Sequence, residues 1–280
     1  MKPKLVAAAL ALVTASPALA QPASPAPAPA AKPIRASKII LIGDSTMQVQ
    51  SGWGGSFCAE HVTSFLACVD LARGGRSSSS YRAEGSWDLA LSEMRAPGFD
   101  HVWVLIQFGH NDQPGKPGRS TDLATEFPAN LRRYVAETRA AGAIPVLVTP
   151  LTRRVFKGGR VDNDLAPWAE AARSVARETG AALVDLNAIS SAAVEAMGEA
   201  RADGLAQMPK PAGGAIPAAP AASETVETPF ALRKASFDRT HLGRAGADYF
   251  AAMMARALVA AIPGLRGLIY ETQPSPVPLR

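Results

Sequence analysis

Ser45 stands where a serine can act as a nucleophile. It follows an apolar run that ends at Ile42, and only Gly43 and Asp44 lie between that run and the serine. The run is apolar without alternation, which predicts a strand buried on both faces of a parallel sheet. Open α/β folds place their ligand sites beyond the carboxyl ends of such strands. Because a serine hydroxyl is a weak nucleophile until a base takes its proton, the chain must also supply a base.

Asp238 and His241 are the candidates for an orienting carboxylate and that base. They are three residues apart, and on a helical turn this spacing places both side chains on one side. The carboxylate can then hold the imidazole in the tautomer that accepts a proton from Ser45. Alternatively, Asp238 is a helix N-cap and His241 a surface imidazole. The Gly-Asp-Ser stretch, taken alone, also fits an ordinary turn.

Gly75 and Asn111 are the candidates for groups that stabilise an oxyanion. They lie in polar loops after the second and third apolar runs, so they should reach the same sheet edge as Ser45. The backbone N–H groups of Ser45 and Gly75, with the side-chain amide of Asn111, would form the oxyanion hole. One such donor typically lowers the barrier by ~3 kcal/mol. A nucleophile, a base, its carboxylate and oxyanion donors together predict ester hydrolysis.

The elements that must position these groups alternate between strand and helix. Five apolar runs predict strands at Lys38–Ile42, Leu66–Leu71, His101–Phe108, Ala143–Thr149 and Ala181–Leu186. Helices are predicted at Trp53–Thr63, Glu84–Met94, Thr121–Ala141, Val161–Gly180, Ile189–Gly198 and Gly243–Ala261. Parallel strands need right-handed crossovers, so the predicted fold is a three-layer α/β/α sandwich. Its flavodoxin-like five-stranded parallel sheet should have the order 2-1-3-4-5.

The segments outside this domain have biased compositions. Residues 1–20 predict a cleavable signal peptide, because Lys2 and Lys4 precede an apolar stretch and Ala18–Ala20 fits a cleavage site. Residues 21–36 form a Pro/Ala-rich lead-in, and the hydrolase domain spans residues 37–262. Within it, residues 205–228 are an Ala/Pro-rich insert, and residues 263–280 are a C-terminal tail. The mature protein is therefore expected to be periplasmic or secreted.

Composition limits the class of partner. The chain has 280 residues, 48% of them hydrophobic, which is enough for one sizeable α/β core. The formal charge of +5 falls to +3 when the two lysines of the signal peptide are removed. That is not the dense positive stripe of a nucleic-acid binder, although an acidic polymer remains a suitable partner. No other segment is apolar enough to span a membrane, so no membrane association is expected after cleavage.

Cys58 and Cys68 are the two cysteines of the chain. In an exported protein such a pair is most simply a disulfide. The alternative is two buried thiols that act as small apolar residues. Neither cysteine has the neighbouring ligands that a metal site needs, so no metal is expected here.

The four blocks around Ser45, Gly75, Asn111 and His241 resemble those of the SGNH (GDSL-type) hydrolases. Within that superfamily the sequence is most similar to the rhamnogalacturonan acetylesterases. The stretches that carry this resemblance are Gly43–Thr46, Trp53–Gly54, Gly75–Ser78, Gln107–Asp112, Thr149–Arg154 and Asp238–Leu242. The resemblance covers Ser37–Ile262 and implies a flavodoxin-like fold, no cofactor or metal, and removal of acetyl groups from pectic polysaccharide. The insert before the histidine block departs from the family pattern, so the resemblance specifies the chemistry more closely than the substrate.

Several polar and aromatic residues near these blocks could bind the substrate. Arg76, Arg153 and Arg154 follow strand ends, and guanidinium groups bind carboxylates such as galacturonate in a bidentate manner. His110 could contact a sugar, and Trp53 could stack on a sugar ring. The alternatives are solvated surface charges for the arginines and a histidine that shapes the turn.

These observations predict a secreted serine esterase that deacetylates plant cell-wall polysaccharide, most simply rhamnogalacturonan, through an acetyl-enzyme. Acetylxylan or another carboxylic ester is an alternative substrate for the same chemistry. A non-catalytic polysaccharide-binding protein is an alternative of another class. The expected partner is an acetylated acidic polysaccharide, and the expected state is a monomer that binds no nucleic acid.

Overall fold

Five parallel strands form the main sheet in the computed structural model, which describes residues 35–211, 213 and 236–273. The strands are β1 (Ser37–Gly43), β2 (Leu66–Asp70), β3 (Val102–Gln107), β4 (Ile144–Val148) and β7 (Ala182–Val184). Their order across the sheet is β2-β1-β3-β4-β7, which confirms the predicted 2-1-3-4-5 arrangement. Gly43 pairs with Gln107 at the carboxyl ends of β1 and β3, so the loops after these two strands start side by side.

Strand β1 is buried along its whole length because both faces of the sheet are covered. Ile39 and Leu41 point into one hydrophobic cluster, and Ile40 and Ile42 point into the other. This alternation follows from the period of two in a strand. Apolar residues at every position of a central strand are therefore required by the two cores.

The helices lie on the two faces of the sheet. They are α1 (Gly54–Glu60), α2 (Ser80–Ala83), α3 (Ser86–Arg95), α4 (Glu126–Ala140), α5 (Ala166–Thr179), α6 (Leu186–Met197), α7 (Glu199–Asp203) and α8 (Arg244–Ala261). Apolar residues of α1, α6, α7 and α8 contribute to one cluster, and those of α3, α4 and α5 contribute to the other. The predicted three-layer sandwich is confirmed.

Two predicted helices begin later than their patterns indicated. The helix expected from Thr121 begins at Glu126, because the Asp122 carboxylate accepts hydrogen bonds from the backbone of Ala124 and Thr125 and forms a turn first. The helix expected from Val161 begins at Ala166. The short antiparallel pair β5 (Phe156–Lys157) and β6 (Arg160–Val161) precedes α5 and was not predicted.

The described parts of the predicted insert and tail contact the domain. Leu205, at the expected start of the insert, is fully buried, and Ala206 pairs with Leu242 in an isolated bridge. Leu265 of the tail is buried, and the Tyr270 N–H donates to the carbonyl of His61. The predicted signal peptide, the lead-in up to residue 34, residues 214–228 of the insert and residues 274–280 of the tail lie outside the described residues.

A disulfide joins Cys58 of α1 to Cys68 of β2, with their Cα atoms 5.5 Å apart. The bond predicted from the two cysteines is therefore present. It ties the helix that follows the Ser45 turn to the edge strand of the sheet. Across residues 35–211 and 236–273, no helix combines the length and the apolar composition that a membrane crossing requires.

Candidate active site

Ser45, His241 and Asp238 form a continuous chain of hydrogen bonds. The Ser45 hydroxyl donates to Nε2 of His241 over 3.0 Å. Nδ1–H of the same imidazole donates to Oδ2 of Asp238 over 2.9 Å. The structure thus brings together side chains that are 196 residues apart in the chain. In this arrangement Nε2 can accept the serine proton while the carboxylate fixes the tautomer.

The turn that presents Ser45 is folded by its neighbour Asp44. Oδ1 of this carboxylate accepts from the N–H and from the hydroxyl of Thr46, each over 2.8 Å. The Asp44 carbonyl accepts from the backbone of Met47 and Gln48. Asp44 is fully buried, whereas Ser45 keeps 8% of its surface exposed. The serine is therefore held at the end of β1 with its hydroxyl directed at the histidine.

The Gly74–Gly75 turn packs against the side chain of Ser45. A Cβ atom added to Gly74 would lie 3.5 Å from Cβ of Ser45. Gly75 has φ of 79°, a conformation that residues with a side chain rarely adopt. Within the described part of the chain, the N–H groups of Ser45 and Gly75 donate no hydrogen bond. Both N–H groups are consequently available to an oxyanion beside the serine.

Asn111 reaches the same edge from the loop after β3. One N–H of its side-chain amide donates to the carbonyl of Arg76 over 3.1 Å, which links this loop to the Gly75 loop. Its second N–H is the third candidate oxyanion donor. Lys116 donates to the carbonyl of His110 over 2.7 Å and lies 3.5 Å from the amide oxygen of Asn111. These contacts orient the amide so that its nitrogen faces the Gly75 loop.

Asp112 links the loop after β2 to the loop after β3. Its carboxylate accepts from the Ser78 hydroxyl over 2.6 Å and from the Thr121 hydroxyl over 3.0 Å. Burial raises the pKa of Asp112 to about 6, although the hydrogen bonds from Ser78 and Thr121 act in the opposite direction. The side chain is buried beneath these loops, so Asp112 has a structural role.

Asp238 is held in its charged form at the other side of the site. Its Oδ1 accepts from the backbone N–H groups of Thr240 and His241, each over 2.7 Å. Burial acts to raise the pKa of Asp238, but the contact with His241 and these backbone hydrogen bonds outweigh it and lower the pKa below its ordinary value. An ionised carboxylate favours the imidazolium that forms when His241 accepts a proton.

The structure contradicts two predicted substrate contacts. Trp53 is fully buried, and its indole N–H donates to the side-chain oxygen of Gln107 over 3.0 Å. A ring in this position cannot stack on a sugar, so Trp53 is a core residue. His110 is 3% exposed, and its Nδ1 lies 3.4 Å from Oδ2 of Asp44. It therefore lies beneath the serine turn, and a direct sugar contact is wrong for it as well.

Arg76 and Arg153 lie at the loops that carry the site. Arg76 is half-buried, donates to the Glu84 carboxylate at 2.8 and 3.0 Å, and donates to the carbonyl of Gly74. Arg153 is paired with Asp164, and its Nε donates to the Thr240 hydroxyl over 3.3 Å. Both arginines are thus already bonded within the protein, and their substrate contacts stay predictions.

The position of Arg154 after a strand predicted that it binds substrate in the cleft. This prediction is wrong. Arg154 is fully buried behind the segment that carries Asp238 and His241. The sequence does not show which of two adjacent arginines is buried and which is exposed. Its role could only be found from the contacts of the folded chain.

The range 41–213 matches the model of the GDSL-like lipase/acylhydrolase family. This range contains Ser45, Gly75 and Asn111. The chain belongs to the GDSL-like lipase/acylhydrolase family. The resemblance drawn from the four sequence blocks is confirmed, and the protein is a carboxylic ester hydrolase.

Two relatives in this family come from Bacillus subtilis strain 168. The probable rhamnogalacturonan acetylesterase YesY is 30% identical over 230 residues, which cover 80% of this chain and 93% of YesY. The rhamnogalacturonan acetylesterase RhgT is 34% identical over 175 residues, which cover 60% of this chain and 71% of RhgT.

Solved structures share the fold. The crystal structure of YxiM from Bacillus subtilis matches with a TM-score of 0.59 and 24% identity, and the match covers 85% of this chain but only 58% of YxiM. Axe2, an acetylxylan esterase from Geobacillus stearothermophilus, matches with a TM-score of 0.53 and 20% identity over 82% of this chain and 95% of Axe2. At these identities the likeness concerns the fold alone.

Proposed function

We propose that the protein is an exported serine esterase that removes acetyl groups from a plant cell-wall polysaccharide, rhamnogalacturonan in the first place. The observation that carries the chemistry is the chain of two hydrogen bonds from Ser45 through His241 to Asp238, at 3.0 and 2.9 Å. Each role that ester hydrolysis requires has an occupant at one edge of the sheet.

In the first half of the reaction the Ser45 oxygen attacks the acetyl carbonyl carbon while Nε2 of His241 takes the hydroxyl proton. The carbonyl oxygen becomes an oxyanion, which accepts hydrogen bonds from the N–H groups of Ser45 and Gly75 and from the Asn111 amide. The tetrahedral intermediate then collapses, the bond to the sugar oxygen breaks, and the imidazolium returns the proton to that oxygen. The products are a free sugar hydroxyl and an acetyl-enzyme.

In the second half, water attacks the acetyl group on Ser45, and His241 takes a proton from that water. A second oxyanion forms in the same place and collapses to acetate, and the imidazolium returns its proton to the serine oxygen. Asp238 stays ionised throughout and stabilises the imidazolium in both halves. The base must be neutral at the start of each half, so activity should fall at acid pH.

The names of the relatives support a polysaccharide substrate. YesY is named a probable rhamnogalacturonan acetylesterase and is similar over 93% of its length. RhgT is named a rhamnogalacturonan acetylesterase and is similar over 71% of its length.

Export follows from the sequence of residues 1–20, which has the pattern of a cleavable signal. Outside the cytoplasm the disulfide between Cys58 and Cys68 would persist. We therefore infer that the mature enzyme is a periplasmic or secreted monomer that meets its polymer outside the cell.

The test compares the wild type with Ser45→Ala and with a matched control, Ser56→Ala. Ser56 is equally buried, but its hydroxyl donates to Asp248 of α8 rather than to a histidine. Acetate release is measured from acetylated rhamnogalacturonan, acetylxylan and tributyrin. The expected result is release from rhamnogalacturonan first, an inactive Ser45→Ala variant that keeps its fold, and a Ser56→Ala variant with ordinary activity.

Two outcomes would contradict this proposal in different ways. If Ser45→Ala kept most of the acetate release, the serine mechanism would be wrong. If the wild type released acetate from xylan or from tributyrin faster than from rhamnogalacturonan, the chemistry would stand and the substrate would be wrong.

A further inference from the structure

The segment that carries Asp238 and His241 has no regular secondary structure of its own. Residues 236–243 run between the end of the insert and the start of α8 without belonging to a helix or strand. Four consecutive carbonyl groups, from Asp238 to His241, lie in this segment and need hydrogen-bond partners if they are buried. The partners of these carbonyls therefore determine where the catalytic imidazole stands.

One residue supplies hydrogen bonds to all four carbonyl groups. Nη2 of Arg154 donates to the carbonyls of Asp238 over 3.2 Å and of His241 over 2.8 Å. Nη1 donates to the carbonyl of Thr240 over 3.2 Å. The backbone N–H of Arg154 donates to the carbonyl of Arg239 over 2.9 Å. The segment is thus wrapped around a single arginine.

This arginine is buried without a carboxylate in direct contact. Arg154 is fully buried, and within the described residues it forms no ion pair. A buried charge is normally paired with an opposite charge, because desolvation is costly. Here carbonyl dipoles take that place. Burial lowers the pKa of Arg154 to about 10, so the guanidinium remains protonated at neutral pH.

The neighbouring arginines make contacts of a different kind. Arg153 reaches the segment only through the Thr240 hydroxyl, and the side chain of Arg239 is paired with Asp203 and Glu199 on α7. Both end in ion pairs between side chains. Of these three arginines, only Arg154 donates to the backbone carbonyls of the segment that carries Asp238 and His241.

We infer that Arg154 is a positioning residue for the reaction, one that holds the backbone of the Asp238–His241 segment so that the imidazole meets Ser45. This inference rests on the proposed function, because it assigns Arg154 a role in the same esterase mechanism. The planar guanidinium offers five N–H donors in a fixed fork, so it can serve three carbonyls of one segment at once. A lysine carries the same charge without that fork.

Two variants separate the fork from the charge. Arg154→Lys keeps the charge and loses the fork, whereas Arg154→Gln keeps a planar group with N–H donors and loses the charge. Arg173→Met is the matched control, because Arg173 is partly buried and ion-paired with Asp185 and Glu170, away from the segment. For each protein we would measure kcat and KM on p-nitrophenyl acetate, after near-UV circular dichroism has shown a native fold.

The expected effects lie in kcat. Arg154→Lys should lower kcat about tenfold or more with KM within about threefold, because only the aligned transition state is affected. Arg154→Gln should lower kcat further, because neutral N–H donors bind carbonyl groups more weakly than charged donors do. Arg173→Met should leave kcat and KM unchanged.

Folded Arg154 variants whose kcat stays within about threefold of the wild type would overturn the inference. So would a loss that lies in KM, since a displaced imidazole should slow the reaction and should not weaken substrate binding. If one variant does not fold, the other still decides on kcat. Ser45→Ala separates the two proposals: an active Ser45→Ala removes the mechanism, whereas an inactive Ser45→Ala with normal Arg154 variants removes only this inference.

Discussion

The two halves of the site are positioned by different means. Ser45, Gly75 and Asn111 lie in loops that leave three neighbouring strands, and the backbone pairing of β2, β1 and β3 brings these loops together. Asp238 and His241 lie in a segment outside the sheet. Arg154 donates hydrogen bonds to its carbonyls, and the Leu242 N–H donates to the carbonyl of Ser51. The first half depends on strand order, and the second half depends on individual side chains.

This difference has a consequence for the response to mutation. The sheet edge is supported by two hydrophobic clusters, so single substitutions there should change one donor and leave the rest in place. In the histidine segment, the side chain of Arg154 donates to three backbone carbonyls, so a change at Arg154 should move the imidazole as a whole. The predictions below compare the two halves, from the largest expected effect to the smallest.

Asp238→Asn should have the largest effect, because it reverses the hydrogen bond to Nδ1 of His241 and favours the wrong imidazole tautomer. We expect kcat to fall by about 10⁴ while the fold is kept. The comparison variant is Asp203→Asn, which weakens an ion pair between Arg239 of the same segment and α7 and leaves Glu199 in place. Its kcat should fall by less than about tenfold, because neither partner of this pair touches the imidazole. Equal losses in the two variants would show that the orienting role of Asp238 is wrong.

Asn111→Ala should have a smaller effect, because it removes one donor of the sheet-edge half. We expect kcat to fall by about 10² to 10³ with little change in KM, as for other single oxyanion donors. Asn163→Ala is the control, since Asn163 is bonded to Asn187 and not to the site. A normal kcat in Asn111→Ala, measured with p-nitrophenyl acetate, would remove the amide from the oxyanion hole.

The strand order and the residues at the sheet edge could be predicted from the sequence. Uninterrupted apolar runs identify parallel strands, and the position of Ser45, Gly75 and Asn111 after three of them places these residues at one edge. The Asp238–His241 pair could be predicted from its spacing. Local chemistry and topology determine all of these features, so no knowledge of tertiary contacts was needed.

The contacts of individual side chains could not be predicted. Trp53 was expected to bind substrate because an aromatic face can stack on a sugar ring, but its indole N–H donates to Gln107 within the core. His110 was expected near the substrate, but it turns inward toward Asp44. Arg154 was grouped with Arg153 although one is fully buried and the other is not. These outcomes depend on which partner is present after folding.

The smallest expected effect is on the stability of the protein, through Asp70 at the end of β2, and not on activity. Burial raises the pKa of Asp70 to about 7, although the Ala72 N–H acts to lower it. The folded protein therefore binds the proton of this carboxyl more tightly than the unfolded chain, whose aspartates have pKa values near ~3.9. Stability should then decrease as pH rises from about 4 to about 7, and the cost should be fully present above about pH 7.

Asp70→Asn should remove that pH dependence and leave kcat unchanged. We expect the free energy of unfolding at pH 8 to rise by about 1–2 kcal/mol relative to the wild type, with a smaller difference at pH 5. Urea unfolding at both pH values measures it, and the exposed Asp100→Asn is the control. An equal difference at pH 5 and pH 8 would mean that Asp70 does not bind a proton in this range.

The most direct test of the account is the site and rate of labelling by a fluorophosphonate, which reacts only with an activated serine. The label should appear on the tryptic peptide that contains Ser45 in the wild type, and the His241→Ala variant should label at least about 10³-fold more slowly. A label on another residue, or an unchanged labelling rate in His241→Ala, would contradict the claim that the sheet edge and the histidine segment act together on this serine.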